Sequence, residues 1–144
     1  MNRKFEHPYV AMIDRYYDAC NQADSEQMKS TFCEDVVHYF VDHEPVRGAD
    51  NLATYLCKIG PRTQATWWVE HAIVEGFDVA IEWSMRWTPS QTGKPEILRG
   101  SEWYLFRKDK IAEIRSYHNN YYLHDPHNRE LRGYPYGAKG FQSI

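Results

Sequence analysis

Residues 97–121 read ILRGSEWYLF, then RKDK, then IAEIRSYHNNY. Both arms are rich in aromatic and β-branched residues, and the break between them is short and charged. That pattern predicts two antiparallel strands joined by a tight turn at Arg107–Lys110. Side chains alternate along a strand, so each arm presents two faces. One face of the first arm carries Gly100, Glu102, Tyr104 and Phe106, and one face of the second carries Ile114, Ser116 and His118. A carboxyl, a phenol and an imidazole therefore fall among apolar neighbours. That surface is expected to be the wall of a pocket which the rest of the chain closes.

Working outward, Tyr9, Met12, Ile13, Tyr16, Tyr17 and Cys20 recur at helical spacing. They predict a helix from Pro8 to Gln22, entered at His7–Pro8, since proline suits the first helical turn. Asp24–Ser25 is expected to cap a second helix, Glu26 to Phe32. Val36 to Val41 reads as a short strand, followed by a polar loop from Asp42 that ends at Gly48. A third helix is expected from Ala49 to Ile59, with Gly60-Pro61 as its stop. Thr66 to Glu75 and Asp78 to Thr88 read as long strands with a turn at Gly76. The latter alternates cleanly, with Val79, Ile81, Trp83, Met85 and Trp87 on one face and Asp78, Ala80, Glu82, Ser84 and Arg86 on the other.

Helices grouped early and an antiparallel meander late predict an α+β domain. The expected form is a cone-shaped curved antiparallel sheet wrapped around three N-terminal helices. Such a cone leaves a hollow that suits a small molecule. The chain of 144 residues fits one domain, 1–144. Its C-terminal tail, 120–144, is expected either over the pocket or a neighbouring subunit, or as an ordered surface arm.

The net charge of −3 and pI near 6.1 offer no basic face for nucleic acid. Eleven Tyr, five Trp and six Phe are many for this length, and they fit either a bulky core or a cavity lined for a flat apolar ligand. Cys20, Cys33 and Cys57 are odd in number and lack metal spacing, which suggests reduced thiols in a reducing compartment. The N-terminus MNRKFEHPYV has no apolar signal core, and no run approaches a membrane span. The cytoplasm is the expected location.

No phosphate loop, nucleophile motif or dinucleotide fingerprint appears, and Gly133, Gly137 and Gly140 do not open a helix after a strand. No cofactor is expected. What remains is acid–base work on a bound organic molecule, which needs a base, a donor to a developing oxyanion and a dry cavity. His71 is the first candidate base if its strand turns it inward; on the outer face it would have no such role. His118 is the second, on the face of Ser116, with a surface or interface position as the alternative. Glu102 in an apolar site could carry a raised pKa and serve as acid or donor, or it could pair with Arg86, Arg99 or Arg115. Tyr16, Tyr39, Tyr55 and Tyr104 could hydrogen-bond a substrate oxygen. His38, Asp42, His43, His71 and His118 match no metal-site spacing, so no metal is expected.

The succession Arg15-Tyr16, Asp24, Phe32-Cys33-Glu34-Asp35, Pro45-Val46-Arg47-Gly48, Val74-Glu75-Gly76 and Lys110-Ile111-Ala112-Glu113 resembles the nuclear transport factor 2-like superfamily. The resemblance runs over roughly residues 8 to 120 and points to the SnoaL-like and scytalone-dehydratase-like branch, with its α+β barrel. It implies an oxyanion-hole role for Tyr16 and a supporting neutral acid at Glu102, as in ketosteroid isomerases. The isomerase base would fall near Tyr39 or Phe40, neither of which is a base. By likeness to scytalone dehydratases, Tyr39 would orient the substrate and His71 would lie near the reacting water or hydroxyl, while Asn21 replaces their helix aspartate. Trp83, Met85 and Ser116 stand where limonene epoxide hydrolases need charged residues, which argues against epoxide hydration. Homodimers or homotrimers are implied as well.

The resulting expectation is a cofactor-independent lyase or isomerase acting on an aromatic or polycyclic small molecule by dehydration, cyclisation or C–C cleavage beside a phenolic ring. Tyr16, Tyr39, His71, Glu102 and His118 would be its catalytic set. Tyr55, Trp67, Trp83, Met85, Trp87, Tyr104 and Ser116 would line its substrate site. The alternative is a non-catalytic module of the same fold that binds a small molecule or a protein. Glu82, Ser84, Arg86, Ser101 and Trp103 on the outer face could form a subunit interface.

Overall fold

The computed structural model describes residues 7–118 and 131–141. Helix α1, Pro8–Gln22, starts where the His7 side chain accepts from the Tyr9 N–H at 3.1 Å, with Pro8 in the first turn. It ends at Ala23, whose left-handed backbone returns its N–H to the last carbonyls. Helix α2, Ser25–Ser30, is capped by the Asp24 carboxyl at the Gln27 N–H. It is shorter than expected, because Phe32 already belongs to strand β1, Phe32–Tyr39. The loop expected before Gly48 contains a further strand, β2, Val46–Arg47.

Helix α3, Ala49–Thr63, runs through Gly60-Pro61 instead of stopping there. Proline in the last turn removes one backbone donor, yet the helix closes normally when Gln64 turns left-handed and bonds back to Gly60. Gly60 faces the Trp67 ring and the Cys20 carbonyl, and a Cβ there would make only ordinary contact, at 3.4 and 3.6 Å. Strands β3 (Thr66–Glu75), β4 (Asp78–Trp87), β5 (Glu96–Arg107) and β6 (Lys110–His118) follow, close to the spans expected from their patterns. Lys108 and Asp109 both take positive φ in the tight β5–β6 turn.

The six strands form one curved, unclosed sheet in the order β2-β1-β6-β5-β4-β3. All neighbours are antiparallel except β1 and β6, which run parallel. The inner face packs against the helices through one core. Ile13, Met28, Leu52, Val79, Ile111 and Ile114 are fully buried there. Each such side chain contributes roughly 1.5–3 kcal/mol through removal from water. None of the described helices is long and apolar enough to cross a membrane.

Two irregularities set which side chains face inward. Between Val69 and His71 the β3–β4 register slips by one residue, with Val69 opposite Trp83 and His71 opposite Glu82. A bulge of this kind reverses the alternation of every residue after it. Trp67 and Val69 face the core before the slip; Ala72 and Val74 face it after. The second irregularity lies between Phe32 and Val37 on β1. From Val36 onward, Val36, His38 and Phe40 are buried, while Tyr39 and Val41 join a separate cluster with Leu131 and Tyr134.

Candidate active site

A cavity of about 190 Å³ opens between the inner face of the sheet and helices α1 and α3. Its polar end lies on β5, β6 and β1. Glu102 and Ser116 are direct cross-strand partners, as are Gly100 and His118. The parallel pairing of β1 with β6 brings His38 beside Ile114 and puts its imidazole Nε2 2.6 Å from Ser116 Oγ.

Glu102 is only 6% exposed. One of its oxygens accepts from the Tyr17 and Tyr104 hydroxyls, the latter at 2.7 Å; the other accepts from Ser116. Its nearest cationic candidate is His38 Nε2 at 3.7 Å. Arg99 pairs with Glu70 and Arg115 with Glu113, so the alternative of a guanidinium partner does not hold among the described residues. Burial raises the Glu102 pKa, and the three hydroxyl donors offset part of that rise. Burial drives the His38 pKa down to about 3, with His43 and His118 adding to the effect. The chain Glu102–Ser116–His38 is thus a buried, hydrogen-bonded unit that holds no imidazolium near neutral pH.

His118 lines the same cavity beside Trp83, with ring centroids 6.0 Å apart. Burial lowers its pKa, Asp42 raises it and His43 lowers it again, for a net shift downward. His43 gives its Nδ1–H to the Glu44 carbonyl at 2.8 Å, which leaves Nε2, 2.7 Å away, as the partner of the Tyr55 hydroxyl. Burial also pushes the Tyr55 pKa up to about 12, so its proton stays in place for that bond. Phe40, Trp67 and Trp83 supply flat walls, and Leu56, Ile59, Met85 and Leu98 the aliphatic ones. Gly100 makes room for this arrangement: a Cβ there would run into the Trp83 ring and lie 2.6 Å from the Tyr117 carbonyl.

Of the residues singled out from the sequence, Tyr16, Tyr55, Trp67, Trp83, Met85, Glu102, Ser116 and His118 all line this cavity. Tyr104 lies on the same face, fully buried, with its hydroxyl spent on Glu102 instead of forming the wall. Three expectations are corrected. His71 is on the outer face, 2.9 Å from Glu82 with its side chain 78% exposed, because the β3 bulge turned it outward. Tyr39 points away from the cavity and packs against Tyr134, because its neighbours His38 and Phe40 take the inner positions. Trp87 lies beyond the cavity, in an adjoining groove.

Tyr17, His38, Asp42 and His43 belong to the site and were not placed there from sequence. A signal existed for two of them. Tyr17 shares a helical face with Ile13 and Cys20, and His38 alternates in phase with Val36 and Phe40 within an apolar run. The described part of the tail contributes nothing to the cavity wall; it lies against Tyr39 and Val41. Residues 120–130 and 142–144 of that tail, and 119–121 of the expected second hairpin arm, are outside the described residues. Among the described residues no three of His, Cys, Asp and Glu gather as metal ligands.

The family model of the SnoaL-like domain matches residues 13–114. No curated protein matches the chain. Among solved structures, a protein of unknown function with a cystatin-like fold from Methylobium petroleophilum is 26% identical, with a TM-score of 0.81 over 95% of this chain and 92% of its own. A candidate SnoaL-like polyketide cyclase from Jannaschia is 15% identical, with a TM-score of 0.69 over 83% and 91%. A Mycobacterium tuberculosis protein, Rv0760c, solved in complex with estradiol-17β-hemisuccinate, is 15% identical, with a TM-score of 0.68 over 80% and 96%.

Proposed function

The chain belongs to the SnoaL-like domain family, and on that footing we propose that it is a cofactor-independent acid–base enzyme. It acts as a lyase or isomerase on an aromatic or polycyclic small molecule, by dehydration, cyclisation or C–C cleavage beside a phenolic ring. One observation carries this reading: His118 and the Glu102–Ser116–His38 chain share the polar end of a cavity whose other walls are aromatic and aliphatic. His118, neutral at pH 7 through its lowered pKa, takes the proton. Tyr16, whose buried hydroxyl keeps its proton, turns it from the Cys20 sulfur to the substrate oxygen on which charge develops. Glu102 anchors the hydroxyls that shape this end of the cavity. The polycyclic ligand of the related mycobacterial protein supports the substrate class.

The test begins with a panel of phenolic and polyketide-like compounds screened by thermal shift, since a ligand of the folded state raises the melting temperature. Compounds that bind are then followed for turnover by wild type and His118→Ala. Loss of about 10²-fold or more in the variant is expected for removal of a general base. Equal turnover would take His118 out of the reaction.

A second reading, a non-catalytic binding module, draws on a different observation. Both Glu102 oxygens are already occupied by protein hydroxyls. Recovery of every bound compound unchanged, as judged by mass spectrometry after long incubation, would favour it.

We also infer a homodimer or homotrimer built through the outer sheet face, where Trp103 is 44% exposed and Ile73 72%. The three thiols, none of them in a disulfide, support a cytoplasmic location. Export of a tagged full-length chain in fractionated cells would contradict it.

A further inference from the structure

The cavity and a neighbouring open groove meet at Ile59, which lines both. Two rows of side chains leave the cavity in the same direction. On β4, Trp83 and Met85 line the cavity, and Trp87, next on the same face, lines an open groove of about 670 Å³. On α3, Ile59 lines both spaces, and Arg62, three residues on and therefore on the same helical face, lines the groove alone. The loop that floors the groove is fastened to the helix where the Thr88 N–H meets the Thr63 carbonyl at 2.9 Å. The inner space of about 190 Å³ is small beside ordinary ligand pockets of roughly 300–1,000 Å³, whereas the two together reach that size.

Among the described residues Arg62 is the only charged side chain on the groove wall. It is exposed and forms no ion pair with any described residue. A guanidinium has a planar fork of donors that matches a carboxylate in two parallel bonds. We propose that cavity and groove form one trough for an elongated ligand, an aromatic head inside and a carboxylate tail held by Arg62. This deepens the reading of the inner cavity as an aromatic site and rests on it. From Leu56 to Arg62 the helix advances roughly 9 Å, a span that a short alkyl tail and the arginine side chain bridge between them.

The probes are 4-(2-naphthyl)butanoate, its methyl ester and 2-naphthylacetate, titrated calorimetrically into the full chain. The butanoate is expected to bind about three- to tenfold more tightly than its ester and than the short acetate, the range for one partly solvated carboxylate–arginine pair. In Arg62→Gln that advantage disappears while ester affinity stays within about twofold, and in 0.5 M salt it shrinks in wild type. Equal binding of butanoate and ester to wild type, or an equal loss of both in Arg62→Gln, overturns the anchor and leaves the inner cavity standing. Failure of all three compounds to bind wild type removes the aromatic cavity reading and the trough with it. Arg62 is on the surface, so the variant retains its core, which a wild-type melting temperature confirms.

Discussion

His38 Nε2 faces a serine oxygen whose single proton is already committed: Ser116 donates it to Glu102. While Glu102 is ionised, Ser116 can only accept from the imidazole, so His38 carries its proton on Nε2. When Glu102 takes a proton, the chain can reverse, with the carboxyl donating to Ser116 and Ser116 to Nε2. His38 is then protonated on Nδ1 and is still neutral. Long-range proton–nitrogen correlation spectra should therefore find the Nε2–H tautomer at alkaline pH and a switch of tautomer on acidification, with no imidazolium at pH 5. In Glu102→Gln, whose amide can donate to Ser116, the Nδ1–H tautomer is expected at every pH. An imidazolium signal at pH 6 would refute the assignment.

The same burial gives His38 a stability signature. Its folded pKa, about 3, lies below the ordinary histidine value of 6.5, so the unfolded chain binds the extra proton between those limits. Native stability contributed by neutral His38 is complete above pH 6.5 and is lost as pH falls toward 3. Glu102, with its pKa raised, acts in the opposite sense above the ordinary carboxyl range. Comparing wild type with His38→Asn isolates the histidine. The slope of unfolding free energy against pH from 4 to 6 should be shallower in the variant, by up to about 1.4 kcal/mol per pH unit. Identical slopes from urea titrations would contradict the burial argument.

The two histidines proposed from the sequence separate in the structure and should separate in kinetics. His118→Ala is expected to lower kcat/KM by about 10²-fold or more, whereas His71→Ala, on the outer surface beside Glu82, should stay within about twofold. With its pKa held down, His118 keeps its basic form to below pH 6.5, so the acid limb of the wild-type kcat/KM profile should fall below that pH.

Gly100 is a sensitive point because it admits the Trp83 ring. Gly100→Ala should destabilise the fold by about 1–3 kcal/mol through overpacking and should change the near-ultraviolet circular dichroism of the tryptophans. A neutral effect would mean that the ring yields easily.

On the outer face, Trp103→Glu should shift the sedimentation coefficient toward that of a single chain if this surface joins subunits. An unchanged coefficient would remove Trp103 from any interface.

The strands from Thr66 to His118 and helix α1 were legible because their apolar periods of two and 3.6 are long and clean. That legibility placed Glu102, Ser116 and His118 on one wall. Local pattern could not reveal register. Nothing in TWWVEHAIVE marks Glu70 as the extra residue, yet that one insertion sends His71 outward. Nor could it reveal that β1 lies beside β6, the pairing that delivers His38 to Ser116. Gly60-Pro61 is a local stop signal, yet α3 continues to Thr63 and closes at Gln64, which takes the left-handed conformation without being glycine.

The parallel seam between β1 and β6 joins the first long strand to the last one. Closing so long a loop costs entropy that grows only slowly with its length, and non-local pairings of this kind slow folding. During synthesis, a ribosome must release nearly all of the described sheet before Phe32–Tyr39 can find its neighbour. Until then the sheet lacks its final partner strand, and His38 has no serine to meet. Released chains truncated after Arg107 should accordingly remain protease-sensitive, whereas released chains that extend beyond His118 can complete the polar end of the cavity.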